Sequence, residues 1–155
     1  MTSAASTVLA SAETALAAHD YELAIDLLVD GGAELRGDPR AELRAQLDES
    51  WARMSMGDLD SAIVKLERAR ALAEAPVCDD TDRAEVLYQL GCCRLKSGAV
   101  SNAVQLLTVS LRLCEESPTQ RPSANRHSLL AHPLLPPSAR LGRGPRRRGR
   151  SHRAR

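Results

Sequence analysis

Four cysteines and four histidines are the side chains of this sequence best suited to redox, nucleophilic or metal chemistry. Adjacent Cys92 and Cys93 invite interpretation as a redox pair, but no two cysteines have the C-x-x-C spacing of redox and zinc sites. The histidines do not have ligand spacing either. Small thiols that fill buried helix positions explain the cysteines better. We therefore expect no metal site and no cofactor.

Catalytic motifs are also missing from the sequence. It contains no phosphate-binding loop, no dinucleotide fingerprint, no H-E-x-x-H and no G-x-S-x-G. His19 has no partner nearby in sequence, so it is better explained as a solvent-facing turn residue. Glu115 and Glu116 form a carboxylate pair, which a polar helix end before Pro118 explains more simply. We expect no catalytic residue, and a protein that is not an enzyme.

The charge divides the chain into two parts. All 20 acidic residues lie in residues 1–116 with 11 basic ones, so this part has a formal charge of −9. Residues 117–155 contain 10 Arg, six Pro and no acidic residue, a composition that predicts disorder. The arginines from Arg146 to Arg150 would bind nucleic-acid phosphates weakly and without sequence specificity. Without aromatic residues, however, the tail has no stacking surface for single strands.

An out-of-frame origin is a second explanation of residues 117–155. A tail of Arg, Pro, Ala, Gly and Ser without Lys is what a G+C-rich gene yields when it is read in the wrong frame. With G+C-leaning codons for residues 129–145, one shifted reading ends in Asp-Trp-Asp-Gly-Ala. We favour a reading-frame accident over a selected basic tail.

Residues 1–116 have the pattern of an all-α domain. Aromatic residues make up only 2% of the chain and Phe is absent, so the core must consist of Leu, Ala and Val, which suits close-packed helices. Apolar periodicity and turn signals predict helices at about 5–18, 21–29, 39–56 and 59–74, and two more on either side of Gly98. Asp30-Gly31-Gly32 is expected to weaken or end the second helix, and the charged side chains of Lys65, Glu67, Arg68 and Arg70 are expected to form a solvated face.

The turns reveal an internal repeat. His19, Gly57 and Gly98 occupy the same position in three successive units, separated by 38 and 41 residues. An alanine follows each turn after five residues and a leucine follows four residues later: Ala24 and Leu28, Ala62 and Leu66, Ala103 and Leu107. Self-similarity of this kind predicts an array of about three helical hairpins.

The third unit resembles a tetratricopeptide (TPR) repeat. The family's pattern of large apolar, Leu-Gly, turn glycine, Ala, large apolar and small residues is matched by Leu87, Leu90-Gly91, Gly98, Ala103, Leu107 and Ser110. The unit is similar to the N-terminal TPR regions of actinobacterial signalling proteins, which often continue into a diguanylate cyclase (GGDEF) or DNA-binding output domain. These 155 residues contain no such domain. A truncated regulatory fragment of such a protein is therefore one hypothesis, and a protein- or peptide-binding scaffold is the main one.

The resemblance implies a concave groove lined by the first helix of each repeat. The positions that map to it are Arg44, Leu47, Trp51, Met54, Glu85, Tyr88, Cys92, Leu95 and Lys96. Trp51 and Tyr88 are the expected anchors for a partner, although Trp51 packing between adjacent repeats is an equal alternative. Leu47 and Trp51 occupy the Lys and Asn positions of the chaperone-binding TPR domains that clamp a C-terminal carboxylate. That ligand class is therefore not expected.

The remaining expectations concern location and association. The N-terminal stretch has no basic segment and its apolar residues are interrupted by Ser, Thr and Glu, so we expect neither a signal peptide nor a membrane span and predict a cytoplasmic protein. The last repeat lacks a capping helix, because the prolines after Glu116 prevent a continuous one. We expect part of the apolar surface of Leu95, Leu107 and Leu111 to lack a partner, so that the chain is marginally stable or self-associates.

Overall fold

The computed structural model describes residues 2–116, and every regular element in that range is an α-helix. Predictions about the tail, residues 117–155, lie outside the described residues. No helix of the described range has the length and apolar character needed to cross a membrane. In chain order the helices are α1 (Ser3–Ala17), α2 (Tyr21–Asp30), α3 (Gly32–Leu35), α4 (Pro39–Ser55), α5 (Leu59–Leu72), α6 (Asp80–Lys96) and α7 (Val100–Glu116).

Aspartates begin four of these helices. The side chains of Asp20, Asp38, Asp58 and Asp79 accept hydrogen bonds from backbone amides of the first turn of α2, α4, α5 and α6. Before α6 the bond is reciprocal, because Asp82 also accepts from the Asp79 amide at 3.0 Å. These caps satisfy amides that have no partner inside the helix. The local sequence therefore decides where these four helices begin.

The three equivalent turns have the same backbone geometry. His19, Gly57 and Gly98 have φ angles of 61°, 86° and 84°, in the left-handed region that ends many helices. After each turn residue, the next amide bonds back to a carbonyl five residues earlier, at 2.9 Å in all three turns. Glycine adopts this conformation without steric cost, whereas His19 does so with strain.

Small residues allow the two helices of each hairpin to approach closely. Ala24, Ala62 and Ala103 are all 0% exposed. In the third hairpin, a Cβ on Gly91 would lie only 2.8 Å from Leu107 Cγ. Glycine at this position is therefore a packing requirement, as the repeat pattern predicted.

The hairpins stack in chain order. Helices α1 and α2, α4 and α5, and α6 and α7 form the hairpins, and α2 and α5 each pack against the first helix of the next hairpin. The first helices also contact one another, α1 with α4 and α4 with α6. Helix α4 therefore lies in the middle of the described array.

One element differs from the sequence expectation. Asp30 does end α2, but the chain then forms the short helix α3 rather than a simple loop. The reason is tertiary, because Leu35 at its end is only 3% exposed and packs in a cluster with α1, α2 and α4.

Candidate partner-binding groove

The groove residues predicted from the sequence lie on α4 and α6, and a salt bridge joins these helices. Arg44 donates two hydrogen bonds to the Glu85 carboxylate, at 2.9 and 3.3 Å. Their side chains are 18% and 25% exposed. Burial disfavours the charge on Arg44, but the carboxylates of Glu85 and Asp48 outweigh it and raise the pKa of the guanidinium. Arg44 is thus held by acidic neighbours and is not an open anion site.

Three of the predicted groove residues are in the core instead. Leu47 is 1% exposed, Met54 2% and Cys92 6%. The prediction that these three residues line a partner-binding surface is therefore corrected, because side chains with so little accessible area cannot contact a ligand. The physical reason is that neighbouring helices cover both elements: α4, with Leu47 and Met54, contacts α1, α2, α5 and α6, and α6, with Cys92, contacts α4, α5 and α7.

Trp51 and Tyr88 remain half-buried, and each packs on its own neighbours. Trp51 lies against a cluster of Ala15, Leu16, Ala24 and Ala52, so it does contribute to packing between the first two hairpins. Tyr88 interacts with the thiol of Cys92, and burial raises the pKa of the Tyr88 hydroxyl well above its usual value. The hydroxyl is therefore neutral at physiological pH and can donate a hydrogen bond.

Spacing places the accessible side chains near the salt bridge. Glu85 and Tyr88 are three residues apart and share a face of α6, and Arg44 and Trp51 are seven apart, two turns along one face of α4. Lys96 and Leu95 are exposed at the end of α6, and Leu95 retains 44% of its surface. Two aromatic residues, an ion pair and an exposed lysine thus lie on the joined helices.

Two polar clusters between helices were not found by sequence reasoning. The Ser50 hydroxyl lies 2.7 Å from Gln89 Oε1, and both residues are at most 2% exposed. Glu49, 4% exposed, accepts from Arg53 at 2.7 Å and from Lys65 Nζ at 3.0 Å. Lys65 therefore does not belong to the solvated face predicted for α5. Helical spacing could have indicated only the Glu49–Arg53 pair, which is four residues apart on α4. The other partners lie on different helices, Lys65 on α5 and Gln89 on α6.

The thiols of this region are not activated. Burial raises the pKa of Cys92, and it raises the pKa of Cys93 to about 11. The Cys93 sulfur instead lies 3.5 Å from the Met54 sulfur in the core. Thiolates are the nucleophilic form of cysteine, so the adjacent pair has the character of core packing residues.

The other candidates for chemistry are dispersed. His19 is exposed in its turn and stacks on Tyr21 with ring centroids 6.0 Å apart. Glu115 and Glu116 are exposed at the end of α7. Within residues 2–116 no group of three or more His, Cys, Asp or Glu side chains is arranged to hold a metal ion.

Two cavities lie away from the predicted groove. One of about 430 Å³ lies beside α1, α2 and α3, and another of about 330 Å³ lies among α2, α3, α4 and α5. Neither is lined by a predicted groove residue. The second contains Arg36, Lys65 and Arg68 together with Glu42 and Glu49, so its charges are largely balanced.

Comparison of the chain with protein-family models, with curated proteins and with solved structures finds no match. Function must therefore be argued from the geometry of the helices and from the chemistry of their accessible side chains.

Proposed function

We propose that residues 1–116 form a TPR-type repeat domain that acts without catalysis, as a scaffold for a protein or peptide partner. The proposal is supported by three turns of one geometry at His19, Gly57 and Gly98, and by fully buried alanines five residues after each. One hairpin cannot bury its own apolar face, so hairpins stack and leave an extended surface for a ligand.

The observation that carries the proposal is the set of side chains around the Arg44–Glu85 bridge. Trp51 and Tyr88 lie on the two helices that this bridge holds together, and partly exposed aromatic residues contribute strongly to interface energy. Lys96 adds a positive charge at the end of α6. The surface suits a peptide with an apolar or aromatic anchor residue and an acidic residue close to it.

The ligand is not expected to be captured through a free C-terminal carboxylate. Arg44, the predicted groove cation on α4, already binds Glu85 with two hydrogen bonds. Leu47 and Trp51 stand at the two clamp positions that the TPR resemblance assigns to Lys and Asn. An internal peptide segment fits this chemistry better.

Selection from a random peptide library displayed on phage, with the full-length chain as bait, tests the proposal. We expect enrichment of peptides that shift the fluorescence of Trp51, the only tryptophan in the chain. Tyr88→Ala should weaken their binding about tenfold or more, the effect of losing an interface hot spot. Lys96→Ala should weaken peptides with an acidic residue more than neutral ones.

Matched controls are exposed residues of α5, which contributes no predicted groove residue. Val64 is 67% exposed and Arg70 is also exposed, so Val64→Ala and Arg70→Ala should leave binding unchanged. Failure to enrich any peptide, or binding that Tyr88→Ala and Val64→Ala affect equally, would refute the proposed function. The regulatory-fragment and nucleic-acid hypotheses depend on the tail or on longer relatives, and they stay predictions.

A further inference from the structure

The outer face of α7 is apolar and uncovered. Val100, Val104 and Leu111 form one stripe along the helix and are 55%, 56% and 60% exposed. The positions equivalent to Val100 and Val104 are half-buried on α2 and α5: Tyr21 and Ile25, Leu59 and Ile63. On α2 these residues pack in one cluster with Ala52 of α4. What covers this face in the earlier hairpins is therefore the first helix of the next hairpin.

The opposite end of the described array presents the counterpart of that covering helix. On α4, the positions that meet the preceding hairpin include Ala45 and Ala52, which are 5% and 0% exposed. Their equivalents on α1 are Thr7 and Thr14, which are exposed. Both threonine hydroxyls donate to carbonyls four residues earlier, at 3.0 and 2.9 Å. At these two positions the outer face of α1 thus carries small side chains whose hydroxyls are already bonded.

Charge favours contact between these two ends. No charged residue occurs from Ser3 to Ala12 on α1 or from Val100 to Leu111 on α7. The acidic residues that give this part of the chain its charge of −9 lie outside these two segments. Contact through the ends would therefore place uncharged surfaces together, whereas most other contacts would oppose like charges.

We propose that α7 of one copy of the chain docks on α1 of a second copy, head to tail, and repeats between molecules the packing that joins α2 to α4. The large aliphatic side chains of α7 would meet the small side chains of α1, as Ile25 meets Ala52 within the chain. Such a contact is heterologous and leaves a free end on each copy, so the assembly grows until a ring closes. This surface is distinct from the peptide groove, and neither proposal depends on the other.

The contact should be weak. Helix α7 has 17 residues and is therefore about 25 Å long, so one helix face buries less than the ~1,200 Å² of the smallest standard interfaces. We expect association that rises with concentration over roughly 5–500 μM. Sedimentation velocity of the full-length chain over that range should show dimers and larger species.

Two variants block opposite ends of the assembly. Val104→Glu charges the α7 face and Ala10→Glu charges the α1 face with the same sign, and both sites are exposed, so folding should survive, as circular dichroism can verify. Each variant alone should associate at least about tenfold more weakly than the natural chain, because the contact would bury an unpaired charge. Gln105→Glu adds the same charge to an exposed position beside Val104 but off the stripe, and should associate normally.

Mixing the two variants gives the decisive result. Each retains the end that the other lacks, so an equimolar mixture should form one-to-one dimers and nothing larger. A natural chain that stays monomeric throughout would overturn the proposal. Full association of Ala10→Glu alone would overturn it in favour of α7 pairing with α7. A mixture that remains monomeric while the natural chain associates would refute the head-to-tail contact.

Discussion

The turn before α7 lacks the capping residue that follows the other two hairpin turns. Asp20 and Asp58 each accept a hydrogen bond from the amide three residues later, at 3.2 Å. The equivalent residue before α7 is Ala99, whose side chain has no acceptor. Ala99→Asp should therefore supply a cap for the amide of Asn102 and stabilise the domain.

The expected gain in the free energy of unfolding follows from the known energy of a helix N-cap. Replacing alanine at this position by Asp, Asn or Ser gains about 0.5–2 kcal/mol, and a carboxylate adds a few tenths by interacting with the helix dipole. Ala99 is exposed and its turn already has the geometry of the capped turn at Gly57, so no strain offsets the gain. At about 1 kcal/mol, the melting temperature of a domain of this size should rise by about 4 °C.

Thermal and urea denaturation followed by circular dichroism measure this effect. Ala99→Asn separates the two contributions, because it provides the cap without the charge and should retain most of the gain. Asp58→Ala is the reciprocal control and should lower the melting temperature. If Ala99→Asp were neutral or destabilising while Asp58→Ala destabilised, the equivalence of the three turns would be wrong.

Three further predictions concern the core and pH. Ala103→Leu should lower the free energy of unfolding by about 1–3 kcal/mol, because it overpacks a site that is 0% exposed. Ser97→Leu, at an exposed turn, should change that free energy by less than about 0.5 kcal/mol. Equal melting temperatures for the two variants would count against the hairpin packing. In a urea titration, Glu49→Gln should destabilise the domain by about 1–3 kcal/mol, because it removes the negative charge that Arg53 and Lys65 share. The Glu67 side chain is 48% exposed, so Glu67→Gln should be nearly neutral in the same titration. Hydrogen bonds from backbone amides lower the pKa of the Asp38 carboxyl below 3.8. The stability that the ionised carboxylate contributes should therefore be complete above pH 4 and disappear as the pH falls further. In an acid titration of stability, Asp38→Asn should lose less stability over this range than the natural chain.

Most of the helix pattern followed from local sequence. Periodic Leu, Ala and Val residues predicted all-helical structure, and aspartates and glycines marked helix starts and turns within two or three residues of their positions in the structure. These features act over one or two turns of chain, so a single sequence contains the information. The small helix α3 was missed because burial of Leu35 among three other helices stabilises it.

The groove was only partly predictable. Mapping by repeat position placed Arg44, Trp51, Glu85 and Tyr88 on two helices that the structure brings together. It also included Leu47 and Cys92, which are buried. The depth of a side chain depends on how closely neighbouring hairpins approach, and that distance is set by contacts between residues about 40 positions apart.

The sequence by itself determined the helical class of residues 2–116, the identity of each turn and the small residues that permit close packing at Ala24, Ala62 and Ala103. Tertiary structure alone decided which polar groups meet, since Ser50 and Gln89 or Glu49 and Lys65 lie on different helices. It also decided which apolar faces are covered. Apolar residues at equivalent positions are half-buried between stacked hairpins and exposed on α7, because burial depends on whether another helix lies against them.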